Sequence, residues 1–231
     1  WTSRPSAYAV AAKSAADVSA AVDFAREHNL RLVVKGAGHS YQGTSDAPDS
    51  LLVWTRYMDD IAMHDAFVPA GCDGKVKPQP AVSVGAGQIW GHTYNAVTPG
   101  GGRYVQGGGC MTVGVAGLVS SGGFGSWSKC YGTAAANLLE AEVVTADGKI
   151  RVVNACNDPD LFWALKGGGG GSFGVITRLT LRTHDLPNFF GVVNLTIDSN
   201  SDDAYRRLLA RFIGFCRAAL VNPNWGETVH L

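Results

Sequence analysis

The chain has 231 residues, of which 16% are charged, and its 19 acidic residues balance its 19 basic ones. No cluster of Lys and Arg forms a basic stripe, so we expect no nucleic-acid partner. The apolar runs, such as 113–119, contain glycine and fall well short of the ~20 residues that cross a bilayer, so we expect no membrane partner. The sequence starts at Trp1, so the natural amino terminus and any targeting signal are not on view.

Glycine is the outlying residue, with 30 of the 231 positions against a usual share of about 7%. The glycines bunch at 36–43, 85–87, 100–125 and 167–174. Such clusters let a backbone approach a partner closely, so we expect several loops to converge on one large ligand. The alternative is that they form the many tight turns of an all-β protein.

The first half of the chain mixes helix and strand signals. Ser14 is the predicted N-cap of a helix, with Asp17 three residues later, apolar residues at helical spacing and a stop at Asn29. Strands are predicted at 31–34, 50–55 and 81–87, a polar loop at 69–80 and a short helix within 88–97.

The second half continues the same mixture. Residues 138–153 form a predicted hairpin with Asp147-Gly148 in its loop. Asp158 is the predicted N-cap of a short helix, with Pro159 at its first position and Gly167 at its end. Alternation along 175–183 predicts a last strand, with Thr177, Leu179 and Leu181 on one face and Arg178, Thr180 and Arg182 on the other. The pattern is α+β and has no repeat.

The run VVKGAGHSYQG, 33–43, takes a strand into a glycine-rich turn. Successive backbone N–H groups of such a turn form a nest for phosphate oxygens. The run does not meet the Rossmann or P-loop patterns, because its third glycine comes too late and no helix pattern follows. Lys35 fits a phosphate neighbour and a solvated strand end equally well. His39 is a candidate turn residue, base, metal ligand or cofactor attachment point.

The five cysteines are too scattered for a zinc pattern, and an odd number cannot all pair within the chain. Cys110 directly follows three glycines, which favours a functional role over an ordinary buried one. A Cys–His nucleophile and a metal site formed by His39, His64 and His92 have no supporting local spacing. We therefore expect no metal.

Three runs together carry a specific resemblance: 33–43, GGGCMTVGVAGLVSSGGFGSWSKCYG at 107–132, and DLFWALKGGGGGSFGVITRLTL at 160–181. They resemble the FAD-binding (PCMH-type) domain of flavoproteins related to berberine bridge enzyme and the glucooligosaccharide oxidases, in the vanillyl-alcohol-oxidase superfamily. The resemblance implies that residues 1–185 form two α+β subdomains, about 1–68 and 69–185, with FAD between them. Residues 186–231 would begin a substrate domain that is incomplete here, with its first strand and helix within 189–220.

By the same resemblance, His39 is linked to the flavin 8α carbon and Cys110 to flavin C6. Imidazole nitrogen and thiolate are nucleophiles able to add to an electron-poor ring, and two bonds fix its orientation and tune its potential. The alternatives are that His39 hydrogen-bonds a phosphate and that Cys110 lies unlinked beside the ring.

The resemblance assigns further residues to the cofactor, although each glycine also fits a plain tight turn. Gly36, Ala37, Gly38, Ser40 and Tyr41 line the pyrophosphate loop, Gly114, Gly117, Gly122, Gly123 and Gly125 the flavin side, and Gly171, Phe173, Gly174 and Val175 the adenosine or flavin wall. Val113, three residues after the cysteine, resembles an oxygen-permissive gate and is otherwise a core residue.

The resemblance implies an FAD-dependent oxidase that takes a hydride from an alcohol, sugar or secondary metabolite and reduces O2 to hydrogen peroxide. The alternatives are a dehydrogenase with another acceptor and a non-catalytic flavin- or ligand-binding module. The catalytic base is expected in the substrate domain, supplied by a missing C-terminal segment or a second polypeptide, since structural roles suit His92 and Tyr94 better. The sequon at Asn194 gives a slight lean towards export.

Overall fold

The structure is a computed structural model that describes residues 4–230. Its helices are α1 (Ala15–Glu27), α2 (Trp90–Asn95), α3 (Val115–Ser120), α4 (Ser128–Tyr131), α5 (Pro159–Leu165) and α6 (Asp202–Phe215). Its strands are β1 (Tyr8–Ala11), β2 (Arg31–Lys35), β3 (Ser50–Trp54), β4 (Ile61–Phe67), β5 (Gln79–Gly85), β6 (Arg103–Val105), β7 (Leu138–Val144), β8 (Ile150–Asn154) and β9 (Val175–Asp185). The predicted α+β class is confirmed.

The first sheet is parallel, with strand order β1-β3-β2, and α1 connects β1 to β2. The predicted start of α1 is confirmed: Ser14 Oγ accepts the Asp17 N–H, and the Asp17 carboxylate accepts the Ser14 N–H. The helix ends before Asn29, whose φ of 50° is left-handed. Val18 of α1 is fully buried, in a cluster that also holds Val175 of the second sheet, so α1 joins the two sheets.

The second sheet is antiparallel, with strand order β4-β5-β9-β7-β8, and β6 pairs with the end of β9. Its main core contains Trp90, Val119 and Leu179, so α2 and α3 cover one face. The change from one sheet to the other lies between Trp54 and Ile61, several residues before residue 68. The position of the subdomain boundary stays a prediction.

The structure adds to two sequence details. Thr180, expected on the same face of β9 as Arg178 and Arg182, is buried where they are exposed, and its hydroxyl pairs with the Ser83 hydroxyl at 2.8 Å. Asp158 precedes α5 as expected, but it has a left-handed φ of 49° and its side chain makes no capping hydrogen bond. Its geometry therefore comes from the tight turn between β8 and α5 rather than from a side-chain cap.

The chain after β9 differs from its expected course. The first part of 189–220, where the resemblance implied a strand, pairs with no strand among residues 4–230, and Phe189, Val192 and Leu195 are exposed there. A strand needs a neighbour to form its ladder, and none of the described strands lies beside this one. The following helix is present as α6, capped by Ser201, whose Oγ accepts the Ala204 N–H. Its assignment to a substrate domain stays a prediction.

A disulfide and a buried carboxylate fasten the loop after β4 to the second sheet. Cys72 pairs with Cys156 after β8, a bond that spacing in the sequence did not reveal. Glu140, 8% exposed, accepts the Ala70 N–H at 2.7 Å and the Asn154 amide at 3.0 Å. The loop is thus held by covalent and charge-assisted bonds at neighbouring points.

Candidate functional site

The loop that carries His39 starts where the two sheets meet. The Thr55 N–H donates to the Lys35 carbonyl at 2.9 Å, which fixes the end of β2. A Cβ on Gly36 would lie 3.2 Å from the Ala86 carbonyl oxygen of the second sheet. Gly38 then turns the chain with a φ of 78°. The sequence therefore directs residues 36–39 along the edge of the second sheet.

The segment that carries Cys110 is fixed by backbone pairing with the start of α2. The Gly91 N–H donates to the Met111 carbonyl at 2.8 Å, and the Trp90 N–H to the Val113 carbonyl at 3.0 Å. The next residue, Gly114, meets the first loop: a Cβ there would lie 3.3 Å from the Ala37 Cβ. The two predicted cofactor loops therefore touch each other.

This contact brings His39 and Cys110 to a shared partner. The Thr112 Oγ1 lies 3.0 Å from His39 Nε2 and 3.5 Å from Cys110 Sγ. All three side chains are exposed. Two nucleophilic side chains from distant motifs thus meet at one surface, joined through a hydroxyl that the sequence did not single out.

The setting of Cys110 favours its thiolate. The Thr112 hydroxyl, then the backbone N–H groups of Thr112 and Val113, interact with the sulfur and hold the pKa of the Cys110 thiol below its usual range. Hydrogen bonds to the charged form have this effect in general, and the thiolate is the nucleophilic form of cysteine. Cys110 is chemically suited to form a bond to an electrophilic carbon.

A cleft of about 580 Å³ lies beside this pair. Its lining residues are Lys35, Gly36, Ala37, His39, Leu52, Trp54, Arg56, Ile89 and Thr112. The charged side chains are Lys35 and Arg56, both cationic, and no carboxylate from the described part of the chain lines the cleft. Such a cleft suits an anionic ligand with a flat apolar part.

Sequence reasoning missed two residues of this cleft, Arg56 and Thr112. For Thr112 the available signal was its place between Cys110 and Val113.

The third glycine run packs beside the other two. The Gly169 N–H donates to the Ser120 carbonyl at the end of α3 at 2.8 Å. A Cβ on Gly167 would lie 3.6 Å from the Gly122 Cα, and one on Gly171 would lie 4.0 Å from Val34 of β2. All three predicted motifs therefore converge, as the glycine clustering indicated.

Other predicted site residues have varied positions. Tyr41 and Phe173 are exposed, Ser40 Oγ lies 2.8 Å from the Thr44 hydroxyl, and Gly117 borders open space. Three of the predicted glycines are needed for packing within the protein. A Cβ on Gly123 would meet Leu118, one on Gly125 the Gly107 carbonyl, and one on Gly174 the Val143 side chain. Val175 is 4% exposed and lies in the core with α1, and Val113 is half-buried against the main core.

Tyr94 has a structural contact. Its hydroxyl donates to the Gly108 carbonyl at 2.6 Å, and burial raises its pKa well above the usual range. It therefore supports the glycine run before Cys110 as a neutral phenol. His92 is exposed, and His64 Nε2 lies 2.8 Å from the Ser83 hydroxyl. No group of three or more metal-ligating side chains occurs within residues 4–230.

A second cleft, of about 550 Å³, lies between the start of α1 and the second sheet. Its polar lining includes His64, Glu140 and Glu142. None of the predicted cofactor residues borders it.

Over the described range, no helix has both the length and the apolar character that crossing a membrane requires.

The chain belongs to the family of FAD binding domains, whose family model matches residues 6–154. Among curated proteins, it is similar to the FAD-linked oxidoreductase penH of Penicillium thymicola, with 45% identity over 199 residues, covering 84% of this chain and 34% of that protein. The chain thus spans about a third of the length of the curated relatives it matches.

Solved structures place the fold among VAO-type flavoproteins. The flavoprotein MtVAO615 of Myceliophthora thermophila C1 is 39% identical, with a TM-score of 0.71, over 77% of this chain and 31% of that one. The glucooligosaccharide oxidase of Acremonium strictum, described with a 6-S-cysteinyl, 8α-N1-histidyl FAD, is 28% identical with a TM-score of 0.71, over 80% and 36%. The predicted resemblance and the VAO-type fold are confirmed.

The residues of the cleft and its two loops have a geometry and chemistry that suit FAD. Gly36 and Gly114 leave little space for a side chain at the junction of the loops, so backbone lines the approach to the cleft. Lys35 and Arg56 supply positive charge for a pyrophosphate. A low-pKa thiol and an imidazole lie together at the edge. Glycine-lined backbone, cations and nucleophilic side chains together suit a dinucleotide cofactor such as FAD.

Proposed function

We propose that the whole protein is an FAD-linked oxidoreductase whose flavin is bonded to both His39 and Cys110. The observation that carries this proposal is the shared Thr112 hydroxyl, 3.0 Å from the imidazole and 3.5 Å from the thiol. Two attachment residues must reach one ring system at the same time. Side chains that bond a common hydroxyl are close enough to do so, and similarity to an enzyme with a histidyl and cysteinyl flavin supports it.

The roles of the other residues follow from their positions. The backbone of residues 36–38 and the cations Lys35 and Arg56 hold the pyrophosphate, and the third glycine run closes the adenosine side. FAD supplies the ring that accepts a hydride from the substrate. His39 and Cys110 hold that ring in one orientation, which lets the remainder of the protein place a substrate against it.

We propose further that the enzyme is an oxidase that reduces O2 to hydrogen peroxide. Val113 directly follows Thr112, and its small apolar side chain, partly buried against the main core, supports the oxygen-permissive role that the resemblance assigns to it. The substrate is an alcohol, a sugar or a secondary metabolite. The base that accepts its proton comes from residues beyond this chain. No described carboxylate belongs to the site. Its only phenols among the described residues are the exposed Tyr41 and Tyr94, whose hydroxyl has a structural role.

Acid denaturation of the full-length protein followed by peptide mass mapping tests the attachment. We expect flavin mass on peptides containing His39 and Cys110, and none on the exposed control thiol Cys130. Flavin on His39 alone would reject the double attachment, and flavin on neither peptide would reject the covalent cofactor. Hydrogen peroxide release under air during turnover tests the oxidase, and turnover with an artificial acceptor but without peroxide would make the enzyme a dehydrogenase.

A further inference from the structure

The Thr112 hydroxyl is the only group, among the hydrogen bonds of the described residues, that contacts both His39 and Cys110. A hydroxyl donates one proton and accepts others, so it can accept from a thiol while it donates to an imidazole nitrogen. A hydroxyl that lies between an acid and a base can pass a proton from one to the other, and its own protonation state is then the same as before.

The backbone holds Thr112 at this position. Its neighbours Met111 and Val113 accept the N–H groups of Gly91 and Trp90, so the segment is clamped on both sides of Thr112. A Cβ on Gly91 would lie 3.1 Å from the Met111 carbonyl, which shows how closely the two segments approach. The hydroxyl is thus positioned by α2 rather than by its own flexible contacts.

We infer that Thr112 is a proton relay that converts Cys110 and His39 into a thiolate–imidazolium pair before the flavin is bonded. The inference rests on the proposed function, in which both side chains attach to FAD. It goes further in assigning to Thr112 the activation of the thiol, and in making His39 the base for Cys110 as well as an attachment residue.

The proton transfers balance. The Cys110 thiol gives its proton to Thr112 Oγ1 while the Thr112 hydroxyl gives its own to His39 Nε2. Sulfur gains one negative charge, imidazole gains one positive charge, and Thr112 is unchanged. No oxidant or reductant takes part. The thiolate that results is the form able to attack an electron-poor carbon.

The charged groups that line the cleft beside His39 and Thr112 are cations. Lys35 and Arg56 line the cleft with His39 and are both cationic, and no carboxylate of residues 4–230 lines it. Arg56 is held by a hydrogen bond to the Gly87 carbonyl at 2.6 Å. Positive charge stabilises a thiolate, so these two cations favour the form of Cys110 that the relay produces.

The pH profile of Cys110 alkylation tests the relay. The full-length protein is produced in a riboflavin auxotroph starved of riboflavin, which leaves Cys110 free, and peptide mapping separates its alkylation from that of Cys130. The variants are Thr112→Val, which removes the hydroxyl at nearly the same volume, Thr112→Ser, which keeps it, and His39→Ala. Circular dichroism checks that each variant folds, and added FAD then gives the rate of bond formation at Cys110.

We expect Thr112→Val and His39→Ala each to raise the midpoint of Cys110 alkylation by about one pH unit, while Thr112→Ser and the Cys130 profile stay unchanged. An unchanged midpoint in Thr112→Val would overturn the inference. A shift in Thr112→Val without one in His39→Ala would also overturn it, since Thr112 would then be only a local donor. If wild-type protein given FAD forms no bond to Cys110, the proposed attachment fails, and the alkylation profiles still decide the relay.

Discussion

Gly114 packs against Ala37 so closely that a Cβ on residue 114 would lie 3.3 Å from the Ala37 Cβ and 3.3 Å from its backbone nitrogen. One residue belongs to the loop after β2 and the other to the segment after Cys110. The contact therefore sets the distance between the two proposed attachment residues. It is the point at which a small change in sequence should separate them.

Gly114→Ala is expected to reduce flavin attachment more than stability. The added methyl must push the loops apart by a few tenths of an ångström, at a cost of about 1 to 2 kcal/mol. Flavin retained after acid denaturation, with the free energy of unfolding measured in urea, checks this. Gly214→Ala is the matched control, since Gly214 lies in α6 with open space around its Cβ position. Equal flavin retention in both variants would contradict the prediction.

Loss of the Cys72–Cys156 disulfide is expected to destabilise the protein by about 3 to 5 kcal/mol, because the bond closes a long loop in the unfolded chain. Cys72→Ser with Cys156→Ser, compared with Cys216→Ser, checks this in urea unfolding. Thiol counting on this chain, denatured without reductant, should find Cys130 and Cys216, and Cys110 where it carries no flavin. Titration of all five thiols would show that the bond does not form.

Glu140→Gln is expected to lower the free energy of unfolding by about 1 to 3 kcal/mol, since a buried carboxylate that accepts two hydrogen bonds is replaced by a neutral amide. The loop that contains Ala70 should then exchange its amide hydrogens faster. Glu27→Gln, on the exposed end of α1, is the control and should change little. Similar losses in the two variants would argue against the fastening role of Glu140.

His184 predicts a pH dependence of stability. Burial, and then the nearby cations Arg182 and Arg103, lower the pKa of His184, whose Nε2 lies 2.8 Å from Asn137 Oδ1. The unfolded chain therefore binds a proton at higher pH than the folded chain does. The stabilising contribution is complete above the unfolded pKa of about 6.5 and is lost as pH falls from there through the folded pKa.

His184→Gln should flatten the stability profile in this window, as measured by the melting temperature from pH 8 to pH 5. His230→Gln, on an exposed residue, should leave the profile as in wild type. A wild-type melting temperature that does not fall below pH 6.5, or an unchanged slope in His184→Gln, would contradict the assignment.

Sequence reasoning succeeded where local chemistry decides structure. The Ser14–Asp17 capping box predicted the start of α1, and two β-rich runs joined by a loop with Asp147-Gly148 predicted the hairpin of β7 and β8. It missed β4, whose residues IAMHDAF have no period of two, because its ladder with β5 and not its own pattern makes it a strand. The strand that the resemblance implied at the start of 189–220 is likewise absent, because none of the described strands pairs with it.

The same distinction applies to the site. Glycine clustering predicted convergence, and the resemblance drew attention to His39 and Cys110. Thr112 could not be ranked above other threonines, since its role depends on a hydrogen bond to a residue 73 positions away. The Cys72–Cys156 pair was hidden for the same reason, because its partners are 84 positions apart and meet only when the second sheet forms.

The placement of His39 and Cys110 on loops from different sheets has a mechanical consequence. A ring bonded to both would tie the end of the parallel sheet to the antiparallel one, as a cross-link between residues far apart in the chain. Such a link restricts the unfolded chain in the way a disulfide does, by about 4 kcal/mol for a loop of this length. The coenzyme would then also stabilise the fold, and the flavin-loaded protein should resist heat and protease under conditions that unfold the flavin-free form.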